Sequence, residues 1–483
     1  MDDCYALVRV RHFIESVIAN DSKEYSRKKK EKERNHFLSE VGVKYCKEIK
    51  TKSIFHPPII FSESEFITKC SYFDYQKQRV NVRTDKSLQK KIKFKKRIRK
   101  NSLRVNETVK IWEKRCPDCG SDNISATHKI WSKKVIDLKL LKSCVKKWIV
   151  RYTTKMYMCG TCGSHHSPIR YRKICYRFGH SLKSWAIYHQ VVNRLSARQV
   201  QMDFFEQFEL VVSHDTINRF MIYFANFYNW TYHLLSKKIL TSLAVYADET
   251  PLKTKYEDAY AWIFTDNKAV VSFYKDTREG GFLIGYLKDF NNVLITDFYS
   301  AYDAIKCKHQ KCLIHLMRDF NDALLKNPFN YEFREMAHDF TKLLQRIVKT
   351  IDKYGLKHRY LKKHKKGAEQ FLDKVAATDY KFDISKQFKT RIVKYRGSLF
   401  EFLNHEGISW NNTSAEHAIK LLSVHFNSNI FWYQTSGIKD YLKVLSIYQT
   451  CKYNDVSFLK YLVSGERNIF KYIENHYHSP TRR

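Results

Sequence analysis

Acidic side chains stand at places in this sequence where a sheet and a helix can bring them together. Leu243–Ala247 is a short strand-forming run that leads into Asp248-Glu249-Thr250-Pro251, and Val293–Thr296 is an apolar run that ends on Asp297. Two buried strands that each release an aspartate at their ends hold two carboxylates close together. Like charges so placed repel unless a divalent cation lies between them. A helix offers a third carboxylate. Trp410-Asn411-Asn412-Thr413-Ser414-Ala415-Glu416 supplies capping residues and then Glu416 in the first turns, with Ala418, Ile419 and Leu422 as the apolar stripe. An acid at that end is also favoured by the helix dipole. Asp258, Asp266, Asp276, Asp289 and Asp303 compete for the second position, although Asp266 and Asp276 fall in expected turns and Asp303 is expected on the helix after Asp297. Glu249 is expected on the opposite face from Asp248 if the strand continues through it.

Sulfur ligands form a second group. Cys116-Pro-Asp-Cys119-Gly120 is answered by Cys159-Gly-Thr-Cys162-Gly163. Two residues between thiolates let one tight turn aim both sulfurs at one ion, and the following glycine relieves crowding where amides point at sulfur. Two such knuckles complete a tetrahedral Cys4 site for one structural Zn2+, closed because no position is left open. Trp148–Tyr152 and Lys155–Met158 read as a strand delivering the second knuckle. Cys144 and Cys175 are off the pattern and are expected as ordinary core thiols. Cys312 and His315 have CxxH spacing, but with two ligands in view they read as packing or support.

The elements that carry these groups sit in a strongly basic chain. Its 483 residues hold 87 Lys+Arg against 49 Asp+Glu, a formal charge of +38, which points to a polyanion as partner. Gly 14 and Pro 7 are too few for a loop-rich or low-complexity chain. No GxxxxGK[ST] or GxGxxG motif is present to hold nucleotide phosphates. No apolar run is long enough to span a bilayer, and the opening MDDCYALVRVRH lacks a signal peptide's layout, so a cytoplasmic, nucleoid-associated setting is expected. Within Lys90–Lys100, KKIKFKKRIRK, Lys95, Lys96 and Arg97 belong to a candidate phosphate-contacting arm. Ser196 and Gln199 have capping-box spacing for a helix running to about Phe205, and Ser213 caps a second helix beginning at His214. The pair resembles a helix-turn-helix, with Ser213, Thr216, Asn218 and Arg219 as candidate DNA contacts.

Several spaced motifs now agree. Asp248-Glu-Thr-Pro251, Thr296-Asp-Phe-Tyr-Ser-Ala-Tyr302, Cys312-Leu-Ile-His315-Leu-Met-Arg318-Asp-Phe320 and Asn411-Asn-Thr-Ser-Ala-Glu416 occur in the order of the DDE transposases. The combination resembles the insertion sequence 66 family over about residues 112–465, including its C-terminal Ser446–Cys451 and Phe458–Leu462 segments. His417 stands where that family commonly has Arg, and Ile314 where it often has Trp. The resemblance implies an RNase H-like core, with Asp248, Asp297 and Glu416 as a catalytic triad holding two Mg2+ (or Mn2+) for DNA cleavage and strand transfer. Cys312, His315, Asn412 and Lys253 are candidate supporting residues.

The expected fold is thus α/β and multidomain. A basic N-terminal region spans 1–110, a zinc ribbon 111–170 and a helix-turn-helix region 176–235. The RNase H-like mixed sheet spans 240–320 with both Asp. A helical insertion follows at 321–405, the Glu helix and C-terminal motif at 406–465, and a tail at 466–483. The expected partners are double-stranded DNA, both element ends and target, in a homodimer or larger assembly, with accessory proteins encoded by the element. The alternatives are a domesticated, non-catalytic DNA-binding protein derived from a transposase, and another RNase H-like metal nuclease.

Overall fold

The structure is a computed structural model that describes residues 104–253, 258–428 and 435–477. The chain divides after Leu103 into two units, and the described elements all belong to the second, Arg104–Arg483. Most of the 1–110 region, with the basic arm at Lys95, Lys96 and Arg97, lies outside the described residues, as does the end of the 466–483 tail.

A β-ribbon opens the second unit. Strands β2 (Ile124–Leu140) and β3 (Val145–Cys159) form a long antiparallel hairpin. Strand β1 (Glu107–Lys110) pairs parallel with β3, and β4 (His165–His166) pairs antiparallel with it. The buried side chains Ile111, Val135, Tyr171 and Ile174 pack together on the ribbon, with Val109 and Tyr152 against them. Cys144 and Cys175 are exposed rather than core thiols. Cys144 falls in the hairpin turn, where its carbonyl accepts from the Leu141 amide, and Cys175 falls in the irregular link before the first long helix. Cysteine's usual preference for burial yields there to chain reversal.

Four helices follow: α1 (His180–Val191), α2 (Ala197–Phe208), α3 (His214–Phe227) and α4 (Asn229–Leu240). Ser196 and Gln199 form both halves of a capping box on α2. That helix runs beyond Phe205 to Phe208 because Phe204 and Phe208 continue its buried stripe, and Glu209 ends it with a left-handed backbone. Ser213 caps α3 by accepting from the Thr216 amide. The ribbon is fixed to these helices by Asp137 of β2, whose Oδ1 accepts from the Leu182 amide at 2.7 Å. Lys147 of β3 donates to the Phe208 carbonyl at the end of α2.

The central sheet has the order β7-β6-β5-β8-β9. Strands β5 (Ala244–Lys253), β6 (Asp258–Thr265) and β7 (Val270–Lys275) form an antiparallel meander, and β8 (Val293–Thr296) and β9 (Lys308–Lys311) add in parallel on the far side of β5. The strand entering Asp248 does not stop there. β5 continues to Lys253, but β8 ends its pairing at Tyr246, so Pro251 has a partner strand on one side only. The polar sequence Lys308-His-Gln-Lys311 gives no strand signal, yet it forms β9 because Gln310 and Lys311 are buried and satisfied. Gln310 bonds the Leu399 carbonyl and the Phe402 amide, and Lys311 pairs with Asp303.

Both sheet edges are therefore closed. The helix α5 (Gly281–Tyr286) packs Phe282 and Tyr286 on Trp262, Phe264 and Phe273. Helices α6 (Leu313–Lys326), α7 (Tyr331–Tyr354), α8 (Lys365–Ala377) and α9 (Asp383–Lys394) share one apolar cluster with Tyr246, Val293 and Ile295 of the sheet. Helices α10 (Thr413–Ser428) and α11 (Thr435–Tyr453) complete the core. On α11, Thr450 and Ser446 accept from the Val270 and Ser272 amides, capping the outer edge of β7. The last helices, α12 (Phe458–Ser464) and α13 (Ile469–Tyr477), turn back onto the first four. There the His180 ring bonds the Leu462 carbonyl at 2.6 Å and Thr231 donates to the Arg467 carbonyl at 2.5 Å.

Gly179 precedes α1 with Asp137 so near that a Cβ there would lie 2.1 Å from the carboxyl. The substitution Gly179→Ala is expected to expel Asp137 from the α1 terminus and to cost about 1–3 kcal/mol. Urea unfolding of the full chain measures this, and an unchanged midpoint would refute the contact's importance.

Candidate active site

The register of the central sheet brings two aspartates level. Tyr246 of β5 pairs in parallel with Ile295 of β8, so Asp248 and Asp297 lie two residues beyond the same rung. Equal offsets keep their side chains on one face, and neighbouring strands run about 4.8 Å apart. Each carboxylate is anchored through one oxygen. Asp248 Oδ1 accepts from the Glu249 amide at 3.0 Å, and Asp297 Oδ1 accepts from the Tyr299 amide at 2.9 Å.

Glu416 joins them from the first turn of α10. That turn is pinned by Asn412, which is fully buried and donates through Nδ2 to the Ala247 carbonyl, one residue before Asp248. The Asn412 amide points at Cys312 Sγ, 3.2 Å away, and the Cys312 amide in turn donates to the Thr296 carbonyl, one residue before Asp297. Asn412 and Cys312 thus couple α10 to both strands at the residues just before the two aspartates. The electrostatics report the convergence. Burial first, and then the charges of Glu249, Asp297 and Glu416, push the Asp248 carboxyl up to about 8. All three side chains offer oxygen, Glu416 Oε1 is buried without a hydrogen-bond partner, and the Asp248 charge is strained. That donor set fits hard divalent cations.

Glu249 points away from Asp248, as alternation requires, into a setting assembled from residues distant in the chain. It accepts from Arg278 Nη2 at 2.7 Å and from the buried Tyr302 hydroxyl at 2.7 Å. Burial raises its carboxyl in spite of both bonds. Arg278 is engaged in this pair and lies over the Tyr299 ring at 4.2 Å. Two of the competing acids have separate partners: Asp266 accepts from Ser242 and the turn amides, and Asp303 pairs with Lys311 and Lys394. The side chains of Asp258 and Lys253 lie outside the described residues.

His315 and Arg318, one turn apart on α6, reach Glu416 at 3.7 and 3.9 Å. Sequence spacing paired Cys312 with His315 but concealed that Glu416, far along the chain, completes a group of three. Arg318 was legible only as the i+3 neighbour of His315 on one helix face.

The four ribbon cysteines also converge. Cys116 and Cys162 Sγ lie 3.7 Å apart, and Cys119 and Cys159 Sγ lie 3.6 Å apart. Tetrahedral Zn2+ with Zn–S of about 2.3 Å needs about 3.8 Å. The two knuckles are near copies, with Gly120 and Gly163 at φ 73° and 71°, each returning its amide to the first cysteine's carbonyl. The Ser164 hydroxyl and knuckle amides bring the Cys116 thiol down to about 6, and the Cys162 amide leads the lowering at Cys159. Cys119 receives the lowering Ser121 amide, yet the crowding of the Cys162, Cys159 and Cys116 sulfurs pushes it up to about 12. A cation among the sulfurs removes that conflict, so the cluster fits zinc.

Of the candidate DNA contacts, Asn218 and Arg219 are exposed on α3. Ser213 and Thr216 join hydroxyls at 2.9 Å within the helix cap. No helix among the described residues is long and apolar enough to cross a membrane. A family model described as Transposase IS66 family matches residues 176–440, more than half of the chain. No curated protein matches.

This geometry has two measurable consequences. Asp248 holds its proton more tightly in the folded chain than in the unfolded one. Between the ordinary carboxylate range and about 8 the unfolded state therefore binds fewer protons, and stability falls as pH rises. Without divalent metal, the melting temperature should drop more steeply from about pH 5 to about pH 8 in the wild type than in Asp248→Asn. Parallel profiles would sink the assignment of that strain. The zinc content of the purified chain should also fall by about one ion per chain in Cys116→Ser, by elemental analysis.

Proposed function

The chain belongs to the IS66 transposase family, and on that premise we propose that it cuts and joins DNA at the ends of an insertion-sequence element. Asp248, Asp297 and Glu416 are the catalytic residues and hold divalent cations, Mg2+ or Mn2+. The sheet order, an antiparallel meander extended by two parallel strands, supports an RNase H-like core. The observation that carries the reading is the level placement of Asp248 and Asp297 beneath the α10 turn that Asn412 pins.

When bound, two such cations lower the pKa of an attacking water or 3′-hydroxyl and stabilise the leaving oxygen of an in-line displacement. The chain's own residues set the stage. The anchored Oδ1 atoms of Asp248 and Asp297 fix how both carboxylates face the site. Arg278 and Tyr302 neutralise Glu249 and keep it from competing for cations. Arg318 places positive charge beside Glu416, where a phosphodiester approaches. The ribbon, read as a Cys4 zinc ribbon, and α2–α3, read as a helix-turn-helix with α3 as recognition helix, supply contacts to double-stranded DNA. Bringing two element ends together calls for a homodimer or larger assembly.

Strand transfer tests this directly, using labelled DNA from both flanks of the gene with Mg2+ or Mn2+. Joined products are expected from the wild type and not from Asp297→Asn, which should still bind the flanks. Products that persist in Asp297→Asn would remove the triad, and cutting without joining would favour a nuclease. The double change Asn218→Ala with Arg219→Ala should weaken flank binding by about 1–3 kcal/mol per lost base contact in a gel-shift titration. Unchanged affinity would remove α3 as the recognition helix.

A further inference from the structure

The group around Cys312 carries more than packing. Cys312 Sγ, a ring nitrogen of His315 and a carboxylate oxygen of Glu416 all lie within 4.8 Å of one another. Cys312 is fully buried, and the Asn412 amide points at its sulfur from 3.2 Å. Three neighbouring polar atoms are buried without hydrogen-bond partners: His315 Nδ1, Glu416 Oε1 and Asn412 Oδ1. The His315 contact to Glu416, at 3.7 Å, is too long to be a hydrogen bond. Buried polar atoms are ordinarily satisfied, and a concentration of exceptions about one thiol calls for an occupant.

We propose that Cys312, His315 and Glu416 form a second metal site, selective for a borderline-soft cation such as Zn2+, that shares Glu416 with the oxygen-only site. The chemistry of the donors sets the selectivity. One sulfur, one imidazole nitrogen and one carboxylate are the ligand types Zn2+ prefers, with the fourth tetrahedral position open, whereas Mg2+ avoids sulfur. Binding releases the Cys312 thiol proton to solvent, and the thiolate and carboxylate together balance the charge of the ion. Cys312 and His315 sit on the opening turn of α6, whose first amides are tied to Trp410 and Thr296, so two ligands are held before the ion arrives. An ion there draws Glu416 toward α6 and away from Asp248 and Asp297. Zinc would thereby switch off the Mg2+-dependent reaction. That consequence rests on the proposed function, but the site itself does not.

Cobalt(II) tests the site through its thiolate-to-metal absorption, with the ribbon left loaded with zinc. The wild-type chain titrated with Co2+ should take up about one ion showing a single-thiolate charge-transfer band and tetrahedral visible absorption. Both Cys312→Ser and Cys312→Ala, checked for native melting, should lose the thiolate band, whereas Cys144→Ser should keep it. Glu416→Gln should weaken Co2+ binding by at least about tenfold. A band that survives in both Cys312 variants, or none in the wild type, overturns the site. Added Zn2+ should displace the cobalt and, in the strand-transfer assay, suppress joining by the wild type; undiminished joining at saturating Zn2+ overturns the switch. A chain that shows the band but never cuts or joins DNA would refute the proposed function while leaving the metal site in place.

Discussion

Everything at the candidate active site depends on one short parallel pairing, Ala244–Tyr246 of β5 against Val293–Ile295 of β8. A slip of one residue would turn Asp297 to the other face of the sheet and bring Thr296, now fully buried, to the site in its place. The register is held from beneath by packing: Val245, Tyr246, Leu294 and Ile295 are all core residues, and a slip would exchange the side chains fitted to the two covered faces. It is held from above by the Cys312 amide on the Thr296 carbonyl and the Asn412 side chain on the Ala247 carbonyl. These two bonds act on the residues just before the two aspartates. Positioning is therefore carried by backbone groups, and the carboxylates are left to respond to charge.

Much of this was legible in sequence because it is local. The Ser196–Gln199 box, the Ser213 cap, the two cysteine knuckles and the apolar runs at 243–247 and 293–296 each signal their structure within a few residues. The IS66 relationship was legible for another reason, in that several short motifs recur in one order along the chain. What escaped was long-range or polar. β9 is written in Lys, His and Gln, and becomes a strand only because Leu399, Phe402 and Asp303 supply partners from far along the chain. The pairing of Glu249 with Arg278 and Tyr302 likewise needs the whole sheet, and Cys312–His315 looked like two ligands until α10 delivered Glu416. Exposure of Cys144 and Cys175 was missed because residue type speaks for burial while their places in the chain speak for turns.

The segment between the second aspartate and Glu416 is no loose appendage. Phe320, Phe333, Phe340 and Phe388 stack in one cluster that extends to Tyr246 and Ile295 of the sheet. Arg391 on α9 lies 3.8 Å over the ring of Phe298, the residue after Asp297, and bonds Asp319 of α6. The helical segment therefore braces the loop that carries the second carboxylate, and a change in α9 is transmitted to that loop through one aromatic contact.

The return of the last helices onto the first has a meaning in the order of synthesis. The β-ribbon and α1–α4 leave the ribosome well before the carbonyls of Leu462 and Arg467, on which His180 and Thr231 close. The rings of Tyr228 and Tyr461 meet across the same join. A message cut short before that point yields a leading half whose helices lack their final partners, and a fragment so left open is a target for proteolysis. Helices α1–α4 thus gain their last partners only after residues 458–477 have been made.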